Sequence, residues 1–264
     1  MSALVRVLRR AWLVVLVVAA WELWTRYAEE AYFPPPSTIL PALRDLWFDG
    51  PPSLLFLNET ARDDFAASLG HLFGGWLLAG AAGVLVGVLI GRSTTAREVF
   101  DPVLEFLRAI PTPTLVPFFI VLFQLGATMQ IMTIAFGVIW PVILNTADGV
   151  RGVDRLQLET AQVFGLGPVR RLVEIVLPAA LPKIFAGLRV SLSFALILMV
   201  IAELVGSTSG IGAQLINAEH SFELPTMWAV IVFLGVLGFL FNGVLLLIER
   251  RFLGWHAGAR QTAS

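Results

Sequence analysis

Among the charged side chains that interrupt apolar stretches of this sequence, Glu105, Arg108 and Glu203 are candidates for chemistry. A charge near the centre of a bilayer costs about 2.5–3.5 kcal/mol on insertion scales, so such residues commonly serve function. Glu105 and Arg108 lie three positions apart on one helix face, which predicts either an ion pair or an arginine that meets an anion. Glu203 is expected to bond to a neighbouring helix or to line an outer gate. Asn145, expected to bond between helices or to be solvated, completes a candidate translocation path with Arg108 and Glu203.

Residue patterns that support catalysis are missing from the sequence. There is no cysteine, which excludes thiol chemistry, and His71, His220 and His256 do not have the spacing of metal ligands. The nucleophile motif Gly-x-Ser-x-Gly is absent, as is the phosphate-binding loop G-x-x-x-x-G-K-[ST]. The single lysine, Lys183, follows a proline. We therefore expect no enzyme activity, no metal and no cofactor in this chain.

The composition indicates a membrane protein. Of 264 residues, 57% are hydrophobic and 14% are charged, whereas a soluble domain has about 45–50% apolar and about 25% charged residues. A membrane-spanning helix needs about 20 mostly apolar residues. Six stretches qualify, and they predict an all-α integral membrane protein that forms a single domain over residues 1–264: residues 11–27, 65–90, 102–125, 128–148, 184–205 and 225–248. The third contains Pro111, Pro113 and Pro117, so we expect a kinked or broken helix there.

The distribution of charge predicts the orientation. The net charge of −1 excludes a nucleic-acid-binding surface on average. Most of the 18 basic residues lie in the N-terminus, in the connections after the second and fourth spans, and in the C-terminal tail. Because basic loops stay in the cytoplasm, both termini are expected there. In the alternative, residues 11–21 form a cleaved signal peptide, but Trp21, Glu22 and Trp24 occupy the place of the small residues that cleavage needs.

The outside segment from residue 28 to residue 64 is rich in acidic residues and prolines. Its prolines at 34–36 predict an extended stretch, after which Ser37 is expected to cap a short helix that runs towards Trp47. Gly50 and the two prolines after it then break the chain. Two interpretations stay open: an ordered loop on the membrane surface, or part of a docking platform for an extracytoplasmic partner.

Small residues recur at four-residue steps in two runs of the second span, a spacing that lets helix backbones approach closely inside a membrane. They are Gly70, Gly74, Gly83, Gly87 and Gly91. The pattern predicts that this span packs tightly against another helix.

The inside connection, residues 150–182, carries the strongest pattern. Asp154 precedes a helical run that ends at Phe164, and a Gly-rich break follows. A second run places four apolar residues at helical spacing, which predicts an amphipathic helix that Pro178 and Pro182 stop before the fifth span. The four residues are Val169, Leu172, Val173 and Val176. Two short helices at an angle on the cytoplasmic surface suit insertion into a groove of a partner.

This connection resembles the EAA loop of ABC importer permeases, E-A-A-x3-G-x9-I-x-L-P. The matching residues are Glu159, Thr160, Ala161, Gly165, Ile175, Leu177 and Pro178, and Thr160 in place of alanine is the one departure. Further segments resemble the subgroup that transports aliphatic sulfonates, taurine, nitrate and bicarbonate. They are Phe33 to Thr38, Arg108 to Pro111, Pro117, Ala202 to Leu204, Gly210 to Gly212, Glu249 to Arg251, and Trp255 with His256.

The resemblance implies a type I ABC importer transmembrane domain that works with partners. These are a cytoplasmic ATPase dimer that binds ATP and magnesium, a second copy of the permease and an extracytoplasmic solute-binding protein. The EAA loop would be the coupling helix seated in the ATPase, with Gly165 permitting the tight turn between its two helices. Glu159 would meet polar or basic groups of the ATPase. The alternative is a secondary transporter or channel that acts alone.

Overall fold

The computed structural model describes residues 3–28 and 32–253, and all regular secondary structure in these two ranges is helical. This confirms the all-α class. Trp255 and His256 lie outside the described residues. The helices are α1 (Ala3–Ala28), α2 (Pro36–Trp47), α3 (Glu59–Arg92), α4 (Thr94–Ala109), α5 (Val116–Phe123), α6 (Ala127–Arg151), α7 (Arg155–Val163), α8 (Pro168–Arg171), α9 (Leu177–Glu203), α10 (Ile211–His220) and α11 (Leu224–Phe252). Short 3-10 turns cover Pro52–Leu54 and Thr112–Leu115, and a π-helical turn covers Leu172–Val176.

Within the described residues, four helical segments are long and apolar enough to cross a membrane: Pro52–Arg92, Ala127–Arg151, Pro168–Glu203 and Leu224–Phe252. The pair Thr94–Ala109 and Thr112–Phe123 supplies a fifth span if its two bent parts count as one. The six-span count and the orientation of the termini stay predictions.

The bend in this pair confirms the broken third span, because its two helices meet at 82°. Ile110 has extended backbone, with φ −72° and ψ 119°. Extended backbone is what the residue before a proline prefers. Pro111 and Pro113 then supply no N–H to continue the helical ladder, so α4 ends at Ala109.

The chain divides into two compact units, of which the first comprises residues 1–66 and 208–236. Its centre is Trp47, which is fully buried between the rings of Phe65 and Phe233, at centroid distances of 5.1 and 4.9 Å. The Trp47 indole Nε1 donates to the buried carboxylate of Asp64 at 3.0 Å. The other oxygen of Asp64 accepts the Gly210 N–H at 2.9 Å. A satisfied carboxylate therefore joins the start of α3 to α2 and to the start of α10.

Ser37 does not cap α2, contrary to the prediction. Helix α2 begins at Pro36, so Ser37 lies inside the helix and not before it. The Ser37 N–H and hydroxyl both donate to the carboxylate of Glu22 on α1, at 3.0 and 2.8 Å. An ionised carboxylate is a stronger acceptor for the first N–H groups of a helix than a hydroxyl is, so a residue 15 positions away replaces the local cap.

The second unit comprises residues 67–207 and 237–264. In it, the glycines of α3 lie against α6: a Cβ added to Gly83 would stand 2.8 Å from the Cβ of Val142, and one added to Gly87 would stand 2.6 Å from that of Thr146. The predicted close packing is confirmed there. It is wrong for Gly70, where an added Cβ would meet nothing within 4 Å.

Helix α6 also packs along α9, and this pairing forms the centre of the second unit. Pro178 and Pro182 do not stop the helical run before α9, contrary to the prediction, since Pro178 lies in the first turn of α9 and Pro182 lies inside it. The chain widens into a π-helical turn just before them, where the Leu177 N–H donates to the carbonyl of Leu172, five residues back. The extra residue in this turn relieves the clash that a proline ring makes with the preceding turn.

Candidate functional site

The coupling segment, defined as residues 150–182, contains the two predicted short helices. Asp154 caps α7 by accepting the Leu156 N–H at 2.8 Å. Helix α7 ends at Val163, and Gly165 follows in the left-handed conformation, with φ +72°. The Gly165 N–H donates to Gln162 and the Leu166 N–H to Ala161, each at 3.0 Å. This is the hydrogen-bonded helix end that glycine favours, so the tight turn predicted at Gly165 is confirmed.

Four of the seven motif residues of the coupling segment line one groove: Thr160, Ala161, Ile175 and Pro178. The groove has a volume of about 660 Å³ between α7 and the helical stretch that begins at Pro168. It is lined by Leu156, Gln157, Thr160, Ala161, Phe164, Leu166, Glu174, Ile175, Pro178 and Ala179. Leu177 instead packs against the buried cluster of Val150, Val176 and Ala180, which holds the segment to α6 and α9. Glu159 is exposed and pairs with Arg155 at 2.8 Å.

Large apolar side chains of the coupling segment remain exposed. Leu156, Val163, Phe164 and Val169 are between 68% and 86% exposed. The predicted single apolar face is therefore only partly correct: Val176 is buried, whereas Val169 and Val173 are exposed. The π-helical turn is the reason, because it changes the helical period between them. Exposed apolar side chains of this kind are typical of a surface that binds a protein partner or lipid.

Glu203 lies at the C-terminal end of α9 and is fully buried. The Ser68 hydroxyl donates to its Oε2 at 2.9 Å, and Nδ1 of His71 lies 3.4 Å from its Oε1. Of the two roles predicted for Glu203, the structure has the hydrogen bond to a neighbouring helix. Since Ser68 and His71 are both on α3, this contact ties the end of α9 to α3.

The other two residues of the candidate path have different surroundings from those expected. Glu105 and Arg108 are both exposed, and no ion pair joins them, so the predicted pair is wrong in this structure. Asn145 donates to the carbonyl of Pro141 in its own helix at 2.8 Å, so it neither bonds to another helix nor is free in solvent. That carbonyl lies one turn back, within reach of a short amide side chain.

A charged residue inside the predicted fifth span was missed. Arg189 lies on α9, and its guanidinium contacts the carboxylate of Glu249 on α11. The rule that identified Arg108, a charge within an apolar stretch, identifies Arg189 as well. The hydrogen bond between Trp47 and Asp64 was also missed. The only hint in the sequence is that Asp64 belongs to a pair of adjacent acidic residues just before the second span.

Comparison with known proteins establishes the family. Residues 83–254 match the model of the binding-protein-dependent transport system inner membrane component. The chain belongs to this family. It is a permease subunit of an ATP-driven importer and a multi-pass protein of the bacterial inner membrane, and ATP is hydrolysed on a separate subunit. The alternative of a transporter or channel that acts alone is wrong.

Several relatives match over most of their length. SsuC of Bacillus subtilis, named an aliphatic sulfonates transport permease, is 32% identical over 91% of this chain and 84% of its own. The taurine transport system permease TauC of Escherichia coli is 30% identical over 92% of this chain and 88% of its own length. The nitrate import permease NrtB of Leptolyngbya laminosa is 31% identical over 70% of this chain and 67% of its own length.

Solved structures share the fold at low sequence identity. A chain of the inward-facing MetNI methionine ABC transporter gives a TM-score of 0.65 at 18% identity, covering 72% of this chain and 94% of that one. A chain of a bacterial alginate ABC transporter, solved with its pentasaccharide-bound periplasmic protein, gives a TM-score of 0.56 at 14% identity. The match covers 96% of this chain and 97% of that one. The likeness confirms the fold class.

Proposed function

We propose that this chain pairs with a second copy to form the translocation path for a small anionic solute of the sulfonate, taurine, nitrate or bicarbonate type. The named substrates of its relatives support the solute class. Helix α4 has exposed apolar residues, which include Val99, Phe100, Val103 and Phe106. They support the pairing, because a second copy would cover this face within the membrane. An extracytoplasmic solute-binding protein delivers the solute, and ATP and magnesium bind to the partner ATPase dimer.

Coupling to the ATPase runs through the motif residues of the coupling segment. The observation that carries this proposal is the exposed apolar surface of α7, held in place by the turn at Gly165. Phe164 is 79% exposed, and burying a phenylalanine contributes about 1.5–3 kcal/mol. If the ATPase covers it, Phe164→Ser weakens binding by about 10- to 100-fold.

The test measures the affinity of the ATPase subunit for the detergent-solubilised permease. Phe222→Ser is the matched control, because Phe222 is 77% exposed but lies on the segment between α10 and α11. We expect the Phe164 variant alone to lose affinity. Equal affinities of both variants and the unchanged chain would contradict the coupling surface.

Arg108 carries the proposed preference for anions. Its side chain is exposed beside the break between α4 and α5 and has no ion pair with the residues described here. Asn145 and Glu203 are the further residues proposed for the path, Glu203 by holding the end of α9. Arg108→Gln is expected to raise the KM for the anion, whereas Arg97→Gln, at an arginine already paired with Asp101 on the same helix, is not.

Uptake into proteoliposomes that hold the complete importer tests the solute class. Competition among a sulfonate, nitrate and a neutral amine should favour the two anions. Transport of the amine alone would refute the proposal.

A further inference from the structure

The turn between α2 and α3 is closed on itself by backbone hydrogen bonds. The Gly50 N–H donates to the carbonyl of Phe56 at 2.8 Å, and the Phe56 N–H donates back to Pro51 at 3.2 Å. At the base, the Asn58 N–H donates to the carbonyl of Trp47 at 3.2 Å. A side chain at Gly50 would overlap the Leu57 carbonyl, so only glycine fits there. The turn is therefore a rigid element.

Two bulky residues of this turn have left-handed backbone. Leu55 has φ 57° and ψ 34°, and Phe56 has φ 64°. Residues other than glycine avoid this region, and strain of this kind persists only where the surrounding structure imposes it. Both apolar side chains are exposed, Leu55 to 80% and Phe56 to 56%. The fold holds both of them away from its interior.

These side chains belong to a larger surface, which we call the outer apolar patch: Leu40, Arg44, Phe48, Leu55 and Phe56. Leu40, Arg44 and Phe48 follow one another at four-residue steps, so they lie on one face at the end of α2. Arg44, Phe48, Leu55 and Phe56 line a shared depression of about 550 Å³ together with Asp49 and Gly50. Arg44 is exposed and forms no ion pair within residues 3–28 and 32–253. The Asp49 carboxylate, by contrast, accepts the Asn58 amide at 2.7 Å.

We propose that the outer apolar patch inserts into the outer leaflet of the bilayer, with Leu55 and Phe56 among the upper acyl chains and Arg44 on a lipid phosphate. Residues 50–57 carry no charge, so nothing in the turn opposes contact with lipid. An apolar surface with one unpaired arginine is complementary to a phospholipid, whose headgroup is anionic at the phosphate.

The base of the turn lies next to the start of the predicted second span. Trp47 packs against Phe65, the first residue of the predicted second span, and against Phe233 of α11. Aromatic residues concentrate at this level of membrane proteins. The proposal rests on membership of the family and on the predicted orientation, and it does not depend on the coupling role of α7. Lipid insertion of the patch and coupling through α7 can therefore fail separately.

The absence of cysteine makes a direct test possible, since a single cysteine can be introduced and spin-labelled in the otherwise unchanged chain. Leu55→Cys and Phe56→Cys report on the patch. Thr60→Cys, at an exposed position in the first turn of α3, is the matched water reference, and Phe239→Cys, at a 77% exposed position in the middle of α11, is the lipid reference. The labelled permease, assembled with its ATPase, is reconstituted into vesicles of phosphatidylethanolamine and phosphatidylglycerol. The accessibility of each label to oxygen and to a water-soluble nickel chelate is then measured.

We expect labels at 55 and 56 to be several-fold more accessible to oxygen relative to the nickel chelate than the label at 60, and to approach the label at 239. Arg44→Glu should move both labels towards water, and Arg44→Lys should not. Retained uptake in each labelled variant shows that it is folded. Labels at 55 and 56 that match the label at 60 would overturn the proposal. So would labels that become protected only when the solute-binding protein is added, because a protein partner would then cover the patch.

Discussion

The turn at Gly165 gives the sharpest prediction about coupling, because a second glycine two residues away provides a matched control. Gly165 has φ +72°, whereas Gly167 has φ −62°, and a Cβ added to either would meet nothing within 4 Å. Alanine at 165 therefore adds only backbone strain, which costs about 1–2 kcal/mol in the left-handed region. Alanine at 167 adds none. A loss of this size changes the ratio of formed to opened turn by about 5- to 30-fold.

Hydrogen exchange of the amides at 165 and 166 measures this ratio, because they donate to Gln162 and Ala161 in the closed turn. Gly165→Ala should raise their exchange by about 5- to 30-fold, and Gly167→Ala should leave it unchanged. Gly165→Asn should lie between them, since asparagine tolerates the left-handed region. Uptake in the complete importer should fall in the same order. The same exchange rate in the two alanine variants would refute the reasoning, because backbone conformation would then not set the cost.

Three further predictions concern packing and buried polar groups, each measured as the free energy of unfolding in mixed micelles. Gly87→Ala should destabilise the chain by about 1–3 kcal/mol, because α6 leaves no room for a methyl group, whereas Gly70→Ala on the same helix should not. Equal effects would contradict the close packing. Glu203→Leu should cost about 1–3 kcal/mol, because it leaves a buried serine hydroxyl without this acceptor, and Glu203→Gln should recover most of the loss. A glutamine variant as unstable as the leucine variant would refute that account. Trp47→Phe keeps an aromatic ring but removes the donor to Asp64 and part of a fully buried side chain, so the expected cost is at least about 1–3 kcal/mol. A neutral result would show that this hydrogen bond does not hold α2 to α3.

The sequence predicted those parts of the fold that depend on a few neighbouring residues. The break at Pro111, the cap at Asp154 and the turn at Gly165 are each set by local backbone chemistry, and each is present. The EAA motif identified the coupling segment for the same reason, since its spacing is read along the chain. The predicted cap at Ser37 was wrong because Glu22, on another helix, supplies a better acceptor.

The prolines of the coupling segment show the same limit more clearly. Pro178 and Pro182 predicted the end of a helix, yet the helical stretch runs on into α9. The effect of Pro178 is absorbed by the π-helical turn just before it, and Val176 and Ala180 pack into the buried cluster with Val150. A chain can add one residue to a turn when packing compensates for the poorer geometry. The helix propensities of neighbouring residues take no account of this tertiary packing, so the sequence predicted a helix end here.

By itself, the sequence determined that this is a membrane protein with a broken third span and a motif that resembles the one coupling permeases to an ATPase on another chain; that its arginine-rich connections face the cytoplasm stays a prediction. These properties follow from composition and short-range spacing. The tertiary structure decided which polar groups are satisfied and which apolar ones are exposed. It buried Glu203 against Ser68, left Arg108 without Glu105, and held Leu55 outward on a strained turn. Each of these outcomes depends on groups brought together from distant parts of the chain, and the free energy of such contacts exists only once the helices have packed.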